Sequence, residues 1–333
     1  MTSSADLTFI HLSDIHFRKG RVGTRHDADE ELRDQLAADL RRLAPRFGAI
    51  SGVIITGDVA WSGHKREYQY ADGWIRRVTE QLRCSLSDVM VPPGNHDVYR
   101  PELKKNAGRI EKLQRNVRTG GKAAICVDRL ANALSGRDGK HFIAPLRAYN
   151  GFAKNFGCAI SATDPYWERA FTLGDGATLC IRGITSTWLS GPKDSEIARR
   201  LLYGAAQYTF TKTDKKIYVV AGHHPPQNTI DSEEAERSFE LNCKLQLFGH
   251  KHYLWITESR DSARIIAGAL HPDRREKPWI PRYNILQIST EITERARILS
   301  INVYPRRWSE EFGLFMADYT PEAKEVRALQ FFY

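Results

Sequence analysis

The stretch Leu7-Thr8-Phe9-Ile10-His11-Leu12-Ser13-Asp14-Ile15-His16 decides how this chain is read. Its first six residues are mostly apolar and rich in β-branched and aromatic types, the pattern of a buried strand. Asp14 and His16 are metal-ligand types placed where that strand stops. The same juxtaposition recurs along the chain. Val53 to Thr56 leads into Gly57-Asp58, and Val89 to Val91 precedes Gly94-Asn95-His96-Asp97. Ile217 to Ala221 comes just before His223-His224, and Leu245 to Phe248 runs into Gly249-His250-Lys251-His252. Loops leaving neighbouring strand ends have origins fixed by the sheet, so they can hold several ligands to close tolerance.

The residue types narrow the chemistry. Carboxylate, imidazole and amide donors suit borderline divalent cations, and no cysteine joins the set. In Asp14-x-His16 and His250-x-His252 an extended backbone sends residues i and i+2 to one side, so each pair is expected to reach one site. Asp58 follows a glycine that permits close backbone approach, which makes it the natural bridging ligand. Six of the eleven histidines fall in these clusters, a concentration that surface scatter does not produce. His11 reads as a core residue of the first strand. His26, His64, His141 and His271 have no motif around them.

Taken in order, Asp14-x-His16, Gly57-Asp58, Gly94-Asn95-His96-Asp97, His223 and Gly249-His250-x-His252 resemble the five blocks of the calcineurin-like metallophosphoesterases. The resemblance implies an α/β fold, a four-layer αββα sandwich of two mixed β-sheets flanked by helices. It also implies two divalent metal ions, Mn²⁺ foremost, with Fe, Zn, Co or Ni as alternatives. Carried over position by position, Asp14, His16, Asp58 and His252 would hold one ion, and Asp58, Asn95, His223 and His250 the other. Either member of His223-His224 could be the ligand. The family pattern favours the first, leaving His224 near the substrate or behind a ligand. Two such ions, about 3.5 to 4 Å apart, acidify a shared water and clamp phosphate oxygens during in-line attack on phosphorus. His96 is the expected acid for the departing alkoxide, with Asp97 orienting its ring.

The rest of the chain frames this site. The 333 residues are expected to form one domain, 1–333, with a helical insertion at about 99–157 and a C-terminal extension at about 305–333. Ala28 to Leu43 reads as a helix ended by Pro45, and Glu67 to Leu82 as a second, which makes the first half βαβαβ. Asn284 to Ile288 and Ile298 to Tyr304 are expected to close a sheet. No stretch approaches the roughly 20 apolar residues of a membrane span. Met1 to Asp6 lacks the pattern of a secretion signal. The five cysteines include no Cys-x-x-Cys, so reduced thiols and a cytoplasmic location are expected.

The formal net charge is +9 and the pI about 9.3, and residues 99–140 alone carry eleven Lys or Arg against four acids. This basic stretch begins beside the Gly94-Asn95-His96-Asp97 block. Arg100, Lys104, Lys105 and Arg109 are its candidate contacts for a polyanionic phosphodiester such as DNA or RNA. The competing reading is an ordinary solvated helical face. Phe142, Tyr149, Phe152 and Phe156 are spaced as stacking aromatics would be, but equally as the apolar face of a core helix, and the core reading is preferred. Three functions follow: a phosphodiesterase acting as a nuclease, a small-molecule phosphodiesterase acting on cyclic nucleotides or related diesters, and a binding module with an ancillary metal site. A phosphoprotein phosphatase has no support beyond the family. The segment from Pro305 to Tyr333 is too apolar for a loose tail and is expected to pack on the domain or on an oligomer or protein partner.

Overall fold

The structure is a computed structural model that describes residues 7–105, 107–191, 200–213, 215–319 and 324–333, with the side chains at 104, 105 and 107 excepted. The first half alternates β1 (Leu7–Leu12), α1 (Glu30–Phe47), β2 (Gly52–Ile55), α2 (Lys65–Leu82) and β3 (Val89–Met90). A helical block follows: α3 (Arg100–Lys105), α4 (Ala107–Arg118), α5 (Ala123–Ser135), α6 (Gly139–Ile143) and α7 (Arg147–Ala153). Next come β4 (Trp167–Thr172), β5 (Thr178–Gly183), α8 (Ala205–Tyr208), β6 (Lys216–Ala221), α9 (Ser232–Asn242) and β7 (Cys243–Phe248). The chain ends in β8 (Trp255–Glu258), β9 (Ala263–Ile266), β10 (Arg282–Ile292), β11 (Arg297–Ser309), β12 (Leu314–Ala317) and β13 (Arg327–Phe332).

The strands form two mixed sheets. One runs β12-β11-β10-β1-β2-β3 with β13 also on β11, and the other runs β4-β5-β6-β7-β9-β8. In the first, β1, β2 and β3 are parallel; in the second, β5, β6, β7 and β9 are. All six residues of β1 are buried, as a strand covered on both faces requires. The second sheet sorts its side chains by alternation. Leu179, Ile181, Val219, Leu245 and Leu247 belong to the large central core, whereas Cys180, Tyr218, Val220 and Phe248 join a separate cluster with Ala235 and Phe239 of α9. Phe9 of β1 meets Phe171 of β4 edge-on at 5.0 Å, so the two sheets touch through their inner faces. Helices outside and sheets inside make the expected αββα sandwich.

Local chemistry adjusts several boundaries. Pro45 lies inside α1 rather than ending it, and the helix stops at Gly48, whose φ of 69° leaves the helical region. α2 starts before Glu67 because His64 caps it. The His64 ring accepts the Arg66 amide, while the Glu67 carboxylate accepts the His64 amide at 3.1 Å and the Ser62 amide at 3.0 Å. The four aromatics Phe142, Tyr149, Phe152 and Phe156 are all buried. The five cysteines are unpaired, and among the described residues no helix is long and apolar enough to cross a membrane.

The C-terminal segment supplies sheet rather than an appendage. β12 and β13 both pair with β11, and Arg306 on β11 makes a two-pronged contact with Asp39 of α1, each N–H donating over 2.9 Å. Leu329 and Phe331 face the core, and the Tyr333 hydroxyl donates to Asp175 at 2.5 Å. Burial of two such side chains contributes about 3–6 kcal/mol. Removing residues 329–333 is therefore expected to lower the melting temperature by several degrees; an unchanged melting curve would mean that this strand contributes nothing.

Candidate metal centre

Every motif residue leaves the C-terminal end of a parallel strand. Asp14 and His16 follow β1, Asp58 follows β2, Asn95 and His96 follow β3, His223 and His224 follow β6, and His250 and His252 follow β7. The inner faces of the two sheets meet, so these ends share one edge of the sandwich. Asp14, His16, Asp58, His223 and His224 are buried there, and His250 and His252 are partly open.

The convergence does not use the extended geometry expected of the two i, i+2 pairs. Asp14, His16, Asp58, His250 and His252 all have left-handed backbones, with φ of 53°, 53°, 53°, 70° and 59°. Non-glycine residues avoid this region at a cost of roughly 1–3 kcal/mol each, and such strain gathers at functional sites. Glycines admit the ligands to each other. A Cβ on Gly57 would lie 2.7 Å from that of His223, and one on Gly94 only 2.1 Å from Asp58 Oδ1.

The side chains form overlapping groups whose ligand atoms lie within 4.8 Å of one another: Asp14, His16 and His252; Asp14, Asp58 and His223; His223, His224 and His250; and His16, Asp58 and His96. His252 Nε2 is 3.2 Å and His223 Nε2 3.9 Å from Asp14 Oδ1. Asp58 Oδ2 lies 3.4 Å from His16 Nε2 and 3.1 Å from His223 Nε2. Three imidazoles are oriented from behind by acceptors. His223 Nδ1 donates to the Thr56 carbonyl at 2.8 Å, His252 Nδ1 to Glu276 at 2.7 Å, and His16 Nδ1 more loosely to the His271 carbonyl at 3.4 Å. That support turns each Nε2 inward, as the outer partners of metal-bound histidines do. Asp14 Oδ1 and His223 Nε2 are buried with no properly aligned hydrogen-bond partner. With Nδ1 donating to Thr56, both orphaned atoms can offer a lone pair, and such a buried oxygen and nitrogen pair fits a bound cation.

The local field points the same way. Burial opposes charge on His223, yet Asp58 and Asp14 raise it to about 9. His252 is raised to about 10 against its burial by Asp14 and Glu276. Asp58 stays ionised well below the usual range despite burial, because His223 and His96 face it. His250 is pushed down to about 3 by burial and by His223.

One expected role changes. Asp97 does not orient the His96 ring, whose Nδ1 donates instead to the Trp61 carbonyl at 2.7 Å. Asp97 is fully buried and accepts the amides of Asp58 and Gly94 at 2.9 Å and Ala60 at 3.0 Å, together with the Tyr68 hydroxyl at 2.9 Å. It ties the Asp58 loop to the Asn95 loop, and burial together with Asp58 raises it to about 6. Of the two places expected for His224, the geometry matches the one behind a ligand. His224 is fully buried between Ser186 Oγ at 2.7 Å and Asn95 Oδ1 at 2.9 Å, so it positions Asn95.

The expected substrate contacts scatter. Arg100 is half-buried and close enough to His96 to disfavour its protonation. Arg109 pairs with Asp138 at 2.8 Å within the helical block. The side chains of Lys104 and Lys105 lie outside the described residues. His11 is a core residue, bonded to Thr56 Oγ1 at 3.2 Å. Glu276, Trp61 and Ser186 were missed because each acts through a fold contact and no local pattern marks it.

Two outcomes are expected. In the metal-free protein His223 and His252 are held towards their protonated forms, so a cation must displace those protons; apparent affinity should rise with pH towards about 9, with about one proton released per site and up to about two for the pair. Calorimetric titration in buffers of different ionisation enthalpy reads this; an affinity unaltered between about pH 6 and 8 would remove these imidazoles from the ligand set. Gly94→Ala should push Asp58 aside, lowering stability by about 1–3 kcal/mol and reducing metal content, both measurable by thermal melting and elemental analysis.

The profile described as calcineurin-like phosphoesterase matches residues 7–254. No curated protein sequence matches the chain. Among solved structures, purple acid phosphatase PPD1 from yellow lupin (Lupinus luteus) seeds is 8% identical, with 99% of this chain and 54% of that one covered at a TM-score of 0.50. A putative 5'-nucleotidase from Staphylococcus aureus, solved with α-ketoglutarate, is 13% identical, with 97% and 54% covered at a TM-score of 0.46. The chain thus spans about half the length of both. The buried His and Asp clusters are typical of a dinuclear metal site, and the chain belongs to the calcineurin-like phosphoesterase family.

Proposed function

We propose that this phosphoesterase hydrolyses phosphodiesters with two divalent ions, one held by Asp14, His16, Asp58 and His252 and the other by Asp58, Asn95, His223 and His250. The observation that carries the reading is the position of Asp58, whose Oδ2 lies within 3.4 Å of both His16 and His223 while Oδ1 accepts the His96 amide at 2.8 Å. When bound, such ions supply Lewis-acid charge to the phosphoryl oxygens and acidify water.

The chain's own residues would complete the step. With Nδ1–H fixed on the Trp61 carbonyl, His96 presents Nε2 to the site. Burial favours its neutral form. The ring is therefore placed to take up a proton at Nε2 and return it to the departing alkoxide, which a diester requires and a good leaving group does not. Asp97 holds the two loops in register, and His224 orients Asn95.

For the substrate we put a nucleic acid first, on the strength of the basic helical block and of Arg100 beside His96. A small diester such as a cyclic nucleotide is the second reading, supported by two observations. Arg109 is paired with Asp138, and Arg129 donates to the Asn116 carbonyl, so part of that charge is committed within the block. Tyr253 and Trp255 stand half or more exposed directly after His252, with ring centroids 6.5 Å apart, where a single base could stack.

Hydrolysis with Mn²⁺ against chelator separates these readings. DNA or RNA cleavage that falls steeply with salt supports the nuclease; cyclic nucleotides cleaved with polymers intact support the small diesterase. His96→Ala should keep its metal and lose about 10²–10⁴-fold on alkyl or nucleoside diesters, with a much smaller loss on p-nitrophenyl esters. Equal losses on both would refute the acid role.

A further inference from the structure

A cavity of about 710 Å³ lies away from the metal-ligand cluster. It is a cleft between α2 and α7, on the flank of the segment that carries His96 and Asp97, and its volume is that of a small-molecule site. Its walls are largely apolar. Tyr68 and Phe152 stack at 28° with centroids 5.0 Å apart, and Ala144, Ala148 and Gly151 present a helix face almost bare of side chains. Nothing lies within 4 Å of where a Cβ on Gly151 would stand.

Charge at the rim is unbalanced. Asp72 is neutralised by Arg76 at 2.7 Å and accepts the Asn155 amide at 3.0 Å, and Glu102 is also engaged. Lys65 and Arg147 are exposed there, and among the described residues neither has an ion-pair partner. Aromatic walls and two free cations call for a flat aromatic anion. The cavity also touches the metal centre's scaffold. The buried Tyr68 ring forms its floor, and the Tyr68 hydroxyl donates to Asp97, which holds the Asp58 and Gly94 amides.

We propose that this cleft is an accessory binding site for an aromatic organic anion, gripped by Lys65 and Arg147 and coupled through Tyr68 and Asp97 to the loops that carry Asp58 and Asn95. The binding half stands alone; the coupling half rests on the proposed metal ligation. Linkage makes the coupling reciprocal, so a metal that alters ligand affinity is altered by the ligand to the same factor.

The test uses the full chain and 8-anilinonaphthalene-1-sulfonate as the fluorescent aromatic anion, with uncharged N-phenyl-1-naphthylamine beside it. Saturable binding with one-to-one stoichiometry is expected. Gly151→Leu should weaken both probes at least tenfold with circular dichroism and melting temperature retained. Lys65→Ala with Arg147→Ala should weaken the sulfonate about tenfold and the neutral probe less than twofold. The sulfonate's Kd should change at least threefold when Mn²⁺ is added, and Tyr68→Phe should abolish that change while leaving binding in place. Sulfonate binding indifferent to Gly151→Leu, or competitive with p-nitrophenyl phosphate, would overturn the accessory site. A Kd identical with and without Mn²⁺ would overturn the coupling. Metal-dependent hydrolysis is measured separately, so either failure is distinct from a failure of the phosphodiesterase reading.

Discussion

Two buried carboxylates, Asp14 and Asp58, set the terms for this molecule. Both are essentially inaccessible, both stay ionised, and Asp58 is 3.1 Å from His223. A buried charge is costly unless opposite charge is held beside it. The imidazoles of His16, His223 and His252 converge on these oxygens from three loops. Opposing sheets bring them together, so the site holds only while the sandwich stays closed. A pair of cations would meet the same demand more completely than protons on His223 and His252.

Keeping that arrangement costs backbone freedom. Five proposed ligands stand in the left-handed region, where a side chain is disfavoured. Their loops stay there because the backbone is held at other points. Asp97 accepts three amides from the Asp58 and Asn95 loops, His224 holds Asn95, and Glu276 holds His252. None of these three residues needs to touch substrate. Their work is to hold ligand atoms still against strain, the condition for electrostatic stabilisation of a charged transition state.

Chemistry and selectivity are carried by different parts of the chain. The candidate metal centre is built from residues at strand ends. Whatever discriminates one phosphoester from another has to come from what surrounds the edge, such as the helical block with Arg100 and the exposed Tyr253 and Trp255 after β7. Arg118 and Arg129 show how far composition misleads about such surfaces, because each donates to backbone carbonyls of its surroundings rather than standing ready for a ligand.

The strands that end in motifs were legible because burial on both faces leaves an uninterrupted apolar run, and the residue types at their ends announced a metal phosphoesterase. β4, β5, β8, β9, β12 and β13 were not anticipated: β4 and β13 alternate exposed and buried residues, and β8, β9 and β12 are only four residues long. Local order along the chain therefore determined the ligand types, the first βαβαβ half and the family. Tertiary structure decided that Asp97 braces two loops rather than a ring, that His224 serves Asn95, and that the C-terminal segment is sheet. These outcomes depend on which backbone amide or carbonyl lies within 3 Å of a side chain, and that distance is set by the packing of segments far apart in sequence.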